Sequence, residues 1–142
     1  MLRRSLLITF FAALGCGTNT DVESQVTITQ GLYGQLTKRC DKPGCVGDPL
    51  TGTPVAWFKT SPFSTTDGGV EPMPVQQTVS GTNGFYELAI DSNDRGYLAL
   101  GRDQPTQGTV WFTATAAVIP RGLARIDWRG SADNEGIWTD AR

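Results

Sequence analysis

Histidine is absent from all 142 residues. With it go the commonest general base at neutral pH, the commonest zinc ligand and every Ser-His-Asp or Cys-His arrangement. The side chains left that could do chemistry are carboxylates, three cysteines and aromatic rings. Two carboxylates can hydrolyse a glycoside when a cleft holds them several ångströms apart, and the candidates are Asp91, Asp94, Asp133 and Glu135. All four fall in turn-like stretches, which reads them as solvated turn acids and leaves a carboxylate-only hydrolase as the weakest of three functional readings. Asp91-Ser92-Asn93-Asp94-Arg95-Gly96 opens like a calcium loop, with oxygen ligands at the first and third places and glycine at the sixth. Arg95 then occupies a ligand place, and Arg102 stands where the bidentate Glu belongs. The expectation is therefore no metal, no cofactor and no enzyme.

The four tryptophans are Trp57, Trp111, Trp128 and Trp138. Trp57 shares a face with Val55 and Trp128 with Ile126, which places both in a core, while Trp138 can close an edge near the C-terminus. Trp111 falls opposite Val110, Phe112 and Ala114, so alternation puts it outside the main core. There it is the one candidate binding residue, able to stack on a sugar or anchor a protein partner. The plainer alternative is packing on a neighbouring loop or on the N-terminal tether.

The elements that must position these residues read as strands. From Val26 the pattern turns to alternation: Val26, Ile28 and then Leu32, Gly34 and Leu36 recur at every second place, with Tyr33, Gln35 and Thr37 on the other face. A loop from Cys40 to Pro54 is rich in Pro, Gly and Asp. Val55 to Lys59 predicts a second strand, and Ser61 to Pro74 a long loop. Val75 to Ser80 and Phe85 to Ile90 flank Gly81-Thr82-Asn83-Gly84, and an Asn-Gly pair between two strand patterns predicts a hairpin. Tyr97 to Leu100, Thr109 to Val118 and Leu123 to Trp128 complete the set. No stretch after the N-terminus repeats apolar residues at helical spacing over two turns. About seven short strands separated by turns predict an all-β, single antiparallel β-sandwich over residues 26–142.

The N-terminus follows other rules. Arg3 and Arg4 precede an unbroken apolar or weakly polar run from Leu6 to Leu14, the pattern of an export signal. As a helix such a run rises only about 14 Å, against a hydrocarbon core of about 30 Å, so it does not span a bilayer. Ala13-Leu14-Gly15-Cys16 resembles the bacterial lipobox, although the family usually has Leu where Ala13 stands. The resemblance implies a signal peptide over 1–15 and lipid on Cys16, with a flexible tether over 16–25. Gly17 in place of an inner-membrane retention Asp favours the outer membrane. Removing 15 of 142 residues leaves 127, one domain's worth. Arg3 and Arg4 leave with the signal, so 10 basic against 14 acidic side chains give a net charge of −4. This argues against nucleic acid, which needs a concentrated basic face. The one basic cluster, Lys38, Arg39 and Lys42, reads as a solvated loop. With Cys16 assigned to lipid, Cys40 and Cys45 remain. An oxidising compartment and the Pro43-Gly44 turn between them favour a disulfide; free thiols are the alternative, and the spacing is too wide for a Cys-x-x-Cys redox pair.

Gly31-Leu32-Tyr33-Gly34-Gln35-Leu36, then Gly52-Thr53-Pro54-Val55-Ala56-Trp57, then Asn83-Gly84-Phe85-Tyr86-Glu87-Leu88 and Arg95-Gly96-Tyr97-Leu98-Ala99-Leu100 form an order similar to the carboxypeptidase regulatory-like domains. This resemblance implies a transthyretin-like (prealbumin-like) sandwich; an immunoglobulin-like one is the alternative. The chain departs from it in Arg95, where Pro is usual, and in the lengthened, cysteine-bearing first loop. Trp128-Arg129-Gly130-Ser131 is similar to the closing motif of hydroxyisourate hydrolases, a transthyretin-like group whose activity depends on the histidine this chain lacks. The expectation is a non-enzymatic, membrane-anchored envelope lipoprotein that serves as a binding or assembly module for an envelope protein complex. A carbohydrate-binding or adhesive module, taking a polysaccharide at Trp111, is the second reading.

Overall fold

A computed structural model describes residues 22–40, 42–43, 45, 47–64, 68–130 and 136–140. The elements are β1 (Gly31–Lys38), β2 (Pro54–Phe58), β3 (Gln76–Val79), β4 (Phe85–Ala89), β5 (Arg95–Gln104), β6 (Gly108–Val118), β7 (Leu123–Gly130) and β8 (Gly136–Asp140), with no α-helix among the described residues. They form two four-stranded sheets, ordered β4-β1-β7-β8 and β3-β2-β5-β6. The all-β sandwich is as expected, with eight strands rather than seven. It is not wholly antiparallel, because β1 and β7 run parallel.

The inward faces of both sheets supply one core. Leu32, Leu36, Tyr86, Leu88, Ile126 and Trp128 come from the first sheet, and Val55, Trp57, Leu98 and Leu100 from the second, all buried. Each large apolar side chain so buried contributes about 1.5–3 kcal/mol over its exposed state. Phe112 meets Trp128 edge-on, ring centroids 6.1 Å apart. A second, smaller cluster of Ala56, Phe58 and Ala99 lies on the outer face of the second sheet. The β2 strand is consequently buried on both sides, which explains its unbroken apolar sequence.

Four expectations are corrected. The segment from Val75 to Ile90 is not a hairpin: β3 pairs with β2, while β4 pairs with β1 in the other sheet. Asn83 and Gly84 do take positive φ, 63° and 71°, but the turn carries the chain from one sheet to the other. Buried Ser80 fixes the crossing, its hydroxyl donating to the Leu50 carbonyl at 2.6 Å and accepting from the Thr53 amide at 2.9 Å. The first strand begins at Gly31, not Val26.

The tether expected over 16–25 stops short of its predicted end, since Val22–Gln25 form a 3-10 turn and Val22 is only 1% exposed. Glu87 holds the segment that follows: its carboxylate accepts from the Thr27 amide at 2.8 Å, from the Thr27 hydroxyl and from the Ile28 amide. Finally, the alternation read along β6 breaks. Leu100 pairs with Thr113 and Gly101 with Trp111, leaving Phe112 as an extra residue. Such a bulge switches faces, so Ala114 joins Trp111 on the outer cluster and Ala117 packs on the main core.

β1 and β7 lose their pairing in mid-strand. Tyr33 lies opposite Arg125 and Leu36 opposite Trp128, with no register pairs between. Two side chains take over the backbone's hydrogen bonds there. The Asp127 carboxylate accepts from the Gln35 amide at 2.8 Å, and the buried Tyr86 hydroxyl donates to the Ile126 carbonyl at 2.5 Å. Burial, then the nearby Asp127 charge, pushes the Tyr86 hydroxyl well above its ordinary pKa, with Arg125 opposing. It stays a donor at any physiological pH.

Candidate functional site

Trp111 sits half-buried on the outer face of the second sheet, as alternation placed it. Its ring meets Phe58 edge-on at 5.1 Å with an interplanar angle of 83°. Across the strands lies Gly101, where an added Cβ would stand 2.9 Å from the Trp111 ring. The indole therefore leans over a position that only glycine leaves open. The long loop between β2 and β3 folds past it, with its end held by the Val75 amide donating to the Trp57 carbonyl at 2.8 Å. Loop and strand enclose an open groove of about 680 Å³, lined by Phe63, Val70, Pro72, Gln107, Thr109 and Trp111 among others. Phe63 is 55% and Val70 71% exposed, and Met73, Val75 and Val79 nearby in sequence are exposed as well. Clusters of exposed apolar side chains of this kind mark interaction sites. The loop's part in the groove carried no pattern in the sequence beyond its Pro and Gly content.

The cysteine loop forms a second feature. Cys40 and Cys45 lie at disulfide-bonding distance with Cα atoms 6.2 Å apart. Closing so short a loop stabilises by ~2 kcal/mol. The loop is stitched to the strand end by the Lys38 amide donating to Asp48 and the Arg39 amide to Gly130, at 2.8 and 2.6 Å. Lys38, Arg39 and Lys42 are exposed, in keeping with a solvated loop. A pocket of about 300 Å³ beside it is lined by Gln35, Thr37, Arg39, Arg129 and Ile137, among others. Arg129 was not foreseen as part of this cluster, because only the parallel β1–β7 register brings it opposite Thr37.

Of the four carboxylates, Asp133 and Glu135 lie outside the described residues, as do Ser131 of the Trp-Arg-Gly-Ser stretch and Cys16. Asp91 is an exposed turn acid. Asp94 departs from the expected solvated acid. Its side chain is 17% exposed, pairs with Lys59 and accepts from the Trp57 indole at 3.2 Å. Both oxygens are thus occupied, and the carboxylate serves to hold Trp57 and the β2 end. The Lys59 hydrogen bond, foremost, holds the Asp94 carboxyl below its ordinary value of 3.8. Partial burial pushes Glu87 up, but the hydrogen bonds from Thr27 and Ile28 outweigh it and leave that carboxyl lowered too.

A depressed folded-state pKa means that the unfolded chain binds the proton first. The stability contributed by Asp94 is present above its unfolded value and is lost as pH falls through the folded one. Below about pH 4 the wild type is expected to lose stability steeply. In denaturant titrations at pH 6 and pH 3, Asp94→Asn should be the less stable protein at pH 6, with the gap shrinking at pH 3. An equal gap at both values would refute the role of this pair. Among the described residues, no group of three His, Cys, Asp or Glu side chains is placed to hold a metal ion. No family model, curated protein or solved structure matches the chain.

Proposed function

We propose that this chain is a non-enzymatic lipoprotein of a bacterial cell envelope, anchored through Cys16 with the outer membrane favoured, whose sandwich binds an envelope protein partner at the Trp111 groove. The observation that carries the reading is the indole of Trp111, fixed against Phe58 and over Gly101 yet open to the groove. A preset aromatic ring bordered by exposed apolar side chains is the usual anchor of a protein interface, because little freedom is lost when a partner covers it. The lack of histidine and the engagement of Asp94 with Lys59 and Trp57 support the non-enzymatic part. The carboxypeptidase regulatory-like assignment belongs to the same proposal. It is supported by its four quoted segments lying chiefly on β1, β2, β4 and β5.

The test is a photo-crosslinking residue at Phe63 or Val70 of the full chain in cells, with Gln35 on the opposite sheet as control. A discrete adduct from the groove positions alone is expected. Trp111→Ala should reduce it about 30-fold, the loss of a ~2 kcal/mol anchor. Adducts indifferent to Trp111→Ala would end the assignment of the site. In the same cells Cys16→Ala should lose both palmitate-analogue labelling and membrane association; retention of the label would end the anchor reading.

A second reading is favoured by one observation: Gln107, Thr109 and Glu71 line the same groove beside the indole, and aromatic faces flanked by hydrogen-bonding groups suit sugar rings. Quenching or shift of tryptophan fluorescence by an envelope polysaccharide, abolished in Trp111→Ala, would establish it.

A further inference from the structure

The end of the first sheet beside the cysteine loop gathers positive charge. Arg129, near the end of β7, lies opposite Thr37 in the parallel register with β1, and Arg39 stands one residue past the β1 end. Alternation along the two strands puts all three on the outer face of the sheet, and all three line the pocket of about 300 Å³. Both arginines are exposed, and among the described residues no carboxylate pairs with either: the ion pairs are those of Lys59 with Asp94 and of Arg125 with Glu23 and Asp127. Asp127 also lines the pocket, but its carboxylate is taken up by the Arg125 guanidinium at 3.1 Å and the Gln35 amide at 2.8 Å. Thr37 is only 6% exposed, yet among the described residues its hydroxyl has no hydrogen-bond partner. Such a group is ordinarily satisfied. The backbone under Arg39 is fixed, because its amide donates to the Gly130 carbonyl at 2.6 Å and Cys40, next along, lies at bonding distance of Cys45.

We infer that this pocket binds the phosphate group of a phosphomonoester lipid, held between the guanidinium groups of Arg39 and Arg129 with the Thr37 hydroxyl as a further donor. Acidic residues outnumber basic ones in the chain, 14 to 12, so two arginines that share a pocket without a carboxylate partner are not the product of a generally basic surface. Like charges on neighbouring strands cost stability, and an anion between them removes that cost. The charge specifies the kind of anion. A phosphate monoester carries about −1.5 to −2 near neutral pH, which two guanidinium groups balance, and the arginine fork matches two phosphate oxygens at once. The remaining rim specifies what carries the phosphate. Ile137 lines the same pocket and is 63% exposed, so an apolar surface borders the charged one, as an amphiphile requires and a free ion does not. A volume of about 300 Å³ stands at the small end of ligand sites, the size for a headgroup whose chains lie outside. This inference is independent of the Trp111 groove and of what binds there.

The test is calorimetric titration of the full chain, in a neutral detergent, with dihexanoyl phosphatidate, dihexanoyl phosphatidylcholine and inorganic phosphate. Phosphatidate should bind at least about tenfold more tightly than phosphatidylcholine, which has no net charge, and than inorganic phosphate, which has no apolar part. Arg39→Gln and Arg129→Gln should each weaken phosphatidate about tenfold, the loss of one charged hydrogen-bonding partner. Arg121→Gln makes the same change of net charge on an exposed residue at the opposite end of β7, and should leave binding unchanged. Arg39 and Arg129 are exposed, so their replacement is compatible with the fold. Arg129→Lys, which keeps the charge and loses the fork, should fall between wild type and Arg129→Gln. Ile137→Ser should weaken phosphatidate and leave inorganic phosphate as it was. Phosphatidylcholine binding as tightly as phosphatidate, or Arg39→Gln and Arg129→Gln indistinguishable from Arg121→Gln, would overturn the site. Inorganic phosphate binding as tightly as phosphatidate, with Ile137→Ser without effect on either, would overturn the lipid as its ligand.

Discussion

Gly34→Ala is expected to remove more than about 4 kcal/mol of stability, a large part of the ~5–15 kcal/mol that a folded domain possesses. The methyl group would stand 1.9 Å from the Ile126 carbonyl oxygen, 2.7 Å from its carbon and 2.9 Å from the Tyr86 ring. Two of these three are backbone atoms of β7, so no side-chain rotation relieves the clash, and β1 and β7 must part. At that point the two strands are already held by substitutes, Asp127 on the Gln35 amide and Tyr86 on the Ile126 carbonyl. Parting them removes both and leaves buried backbone groups without partners, each at ~1–3 kcal/mol. Tyr86→Phe separates the two contributions, since it deletes the hydroxyl without adding bulk and should cost only about 1–3 kcal/mol. Guanidinium unfolding of the three proteins decides the matter. A Gly34→Ala loss no greater than that of Tyr86→Phe would show that the strands yield easily there.

Trp57→Ala should cost about 3–5 kcal/mol. The side chain is fully buried among Val55, Leu98 and Leu100, and its indole also anchors Asp94. An added Cβ at Gly96 would lie 2.8 Å from the Trp57 ring, so the ring fits closely on that side as well. Trp57→Phe keeps much of the apolar volume and removes the donor to a charged acceptor, for which about 1.5–3 kcal/mol is expected. The sum matters for more than stability. Phe58, the next residue, supports Trp111 on the opposite face of the same strand, so loosening of β2 in Trp57→Ala should red-shift Trp111 emission even in the surviving folded fraction. A cost under about 1 kcal/mol would mean that the core collapses around the missing ring, and that β2 is not the stiff element described.

Much of this was legible in the residues. Period-two alternation located β1, β2, β4, β6 and β7 to within a few positions, and it put Trp57 and Trp128 inside and Trp111 outside. What escaped had non-local causes. Asn83-Gly84 has the same backbone preference whether the chain turns back beside β3 or crosses to the other sheet, and only the pairings of β2 with β3 and β1 with β4 distinguish the two. The bulge at Phe112 depends on where β5 ends its regular pairing. Asp94 looks like any turn acid until folding sets Lys59 and the Trp57 indole beside it. Arg129 joins the basic end of the sheet through a parallel register that no local pattern announces. The groove is the least legible part, because half of it is loop.

The turn at Val22–Gln25 has a geometric consequence. Glu23 lies 3.6 Å from Arg125, and Thr27 is bound by Glu87; Arg125 and Glu87 flank Tyr33 on the outer face of the first sheet. With a lipid at Cys16, only five residues lie between it and Val22, six Cα steps and a leash of at most about 20 Å. The leash leaves from the first sheet's side, while Trp111 lies on the outer face of the second. The domain would then stand with one broad side toward the bilayer and present the groove to whatever lies beyond it.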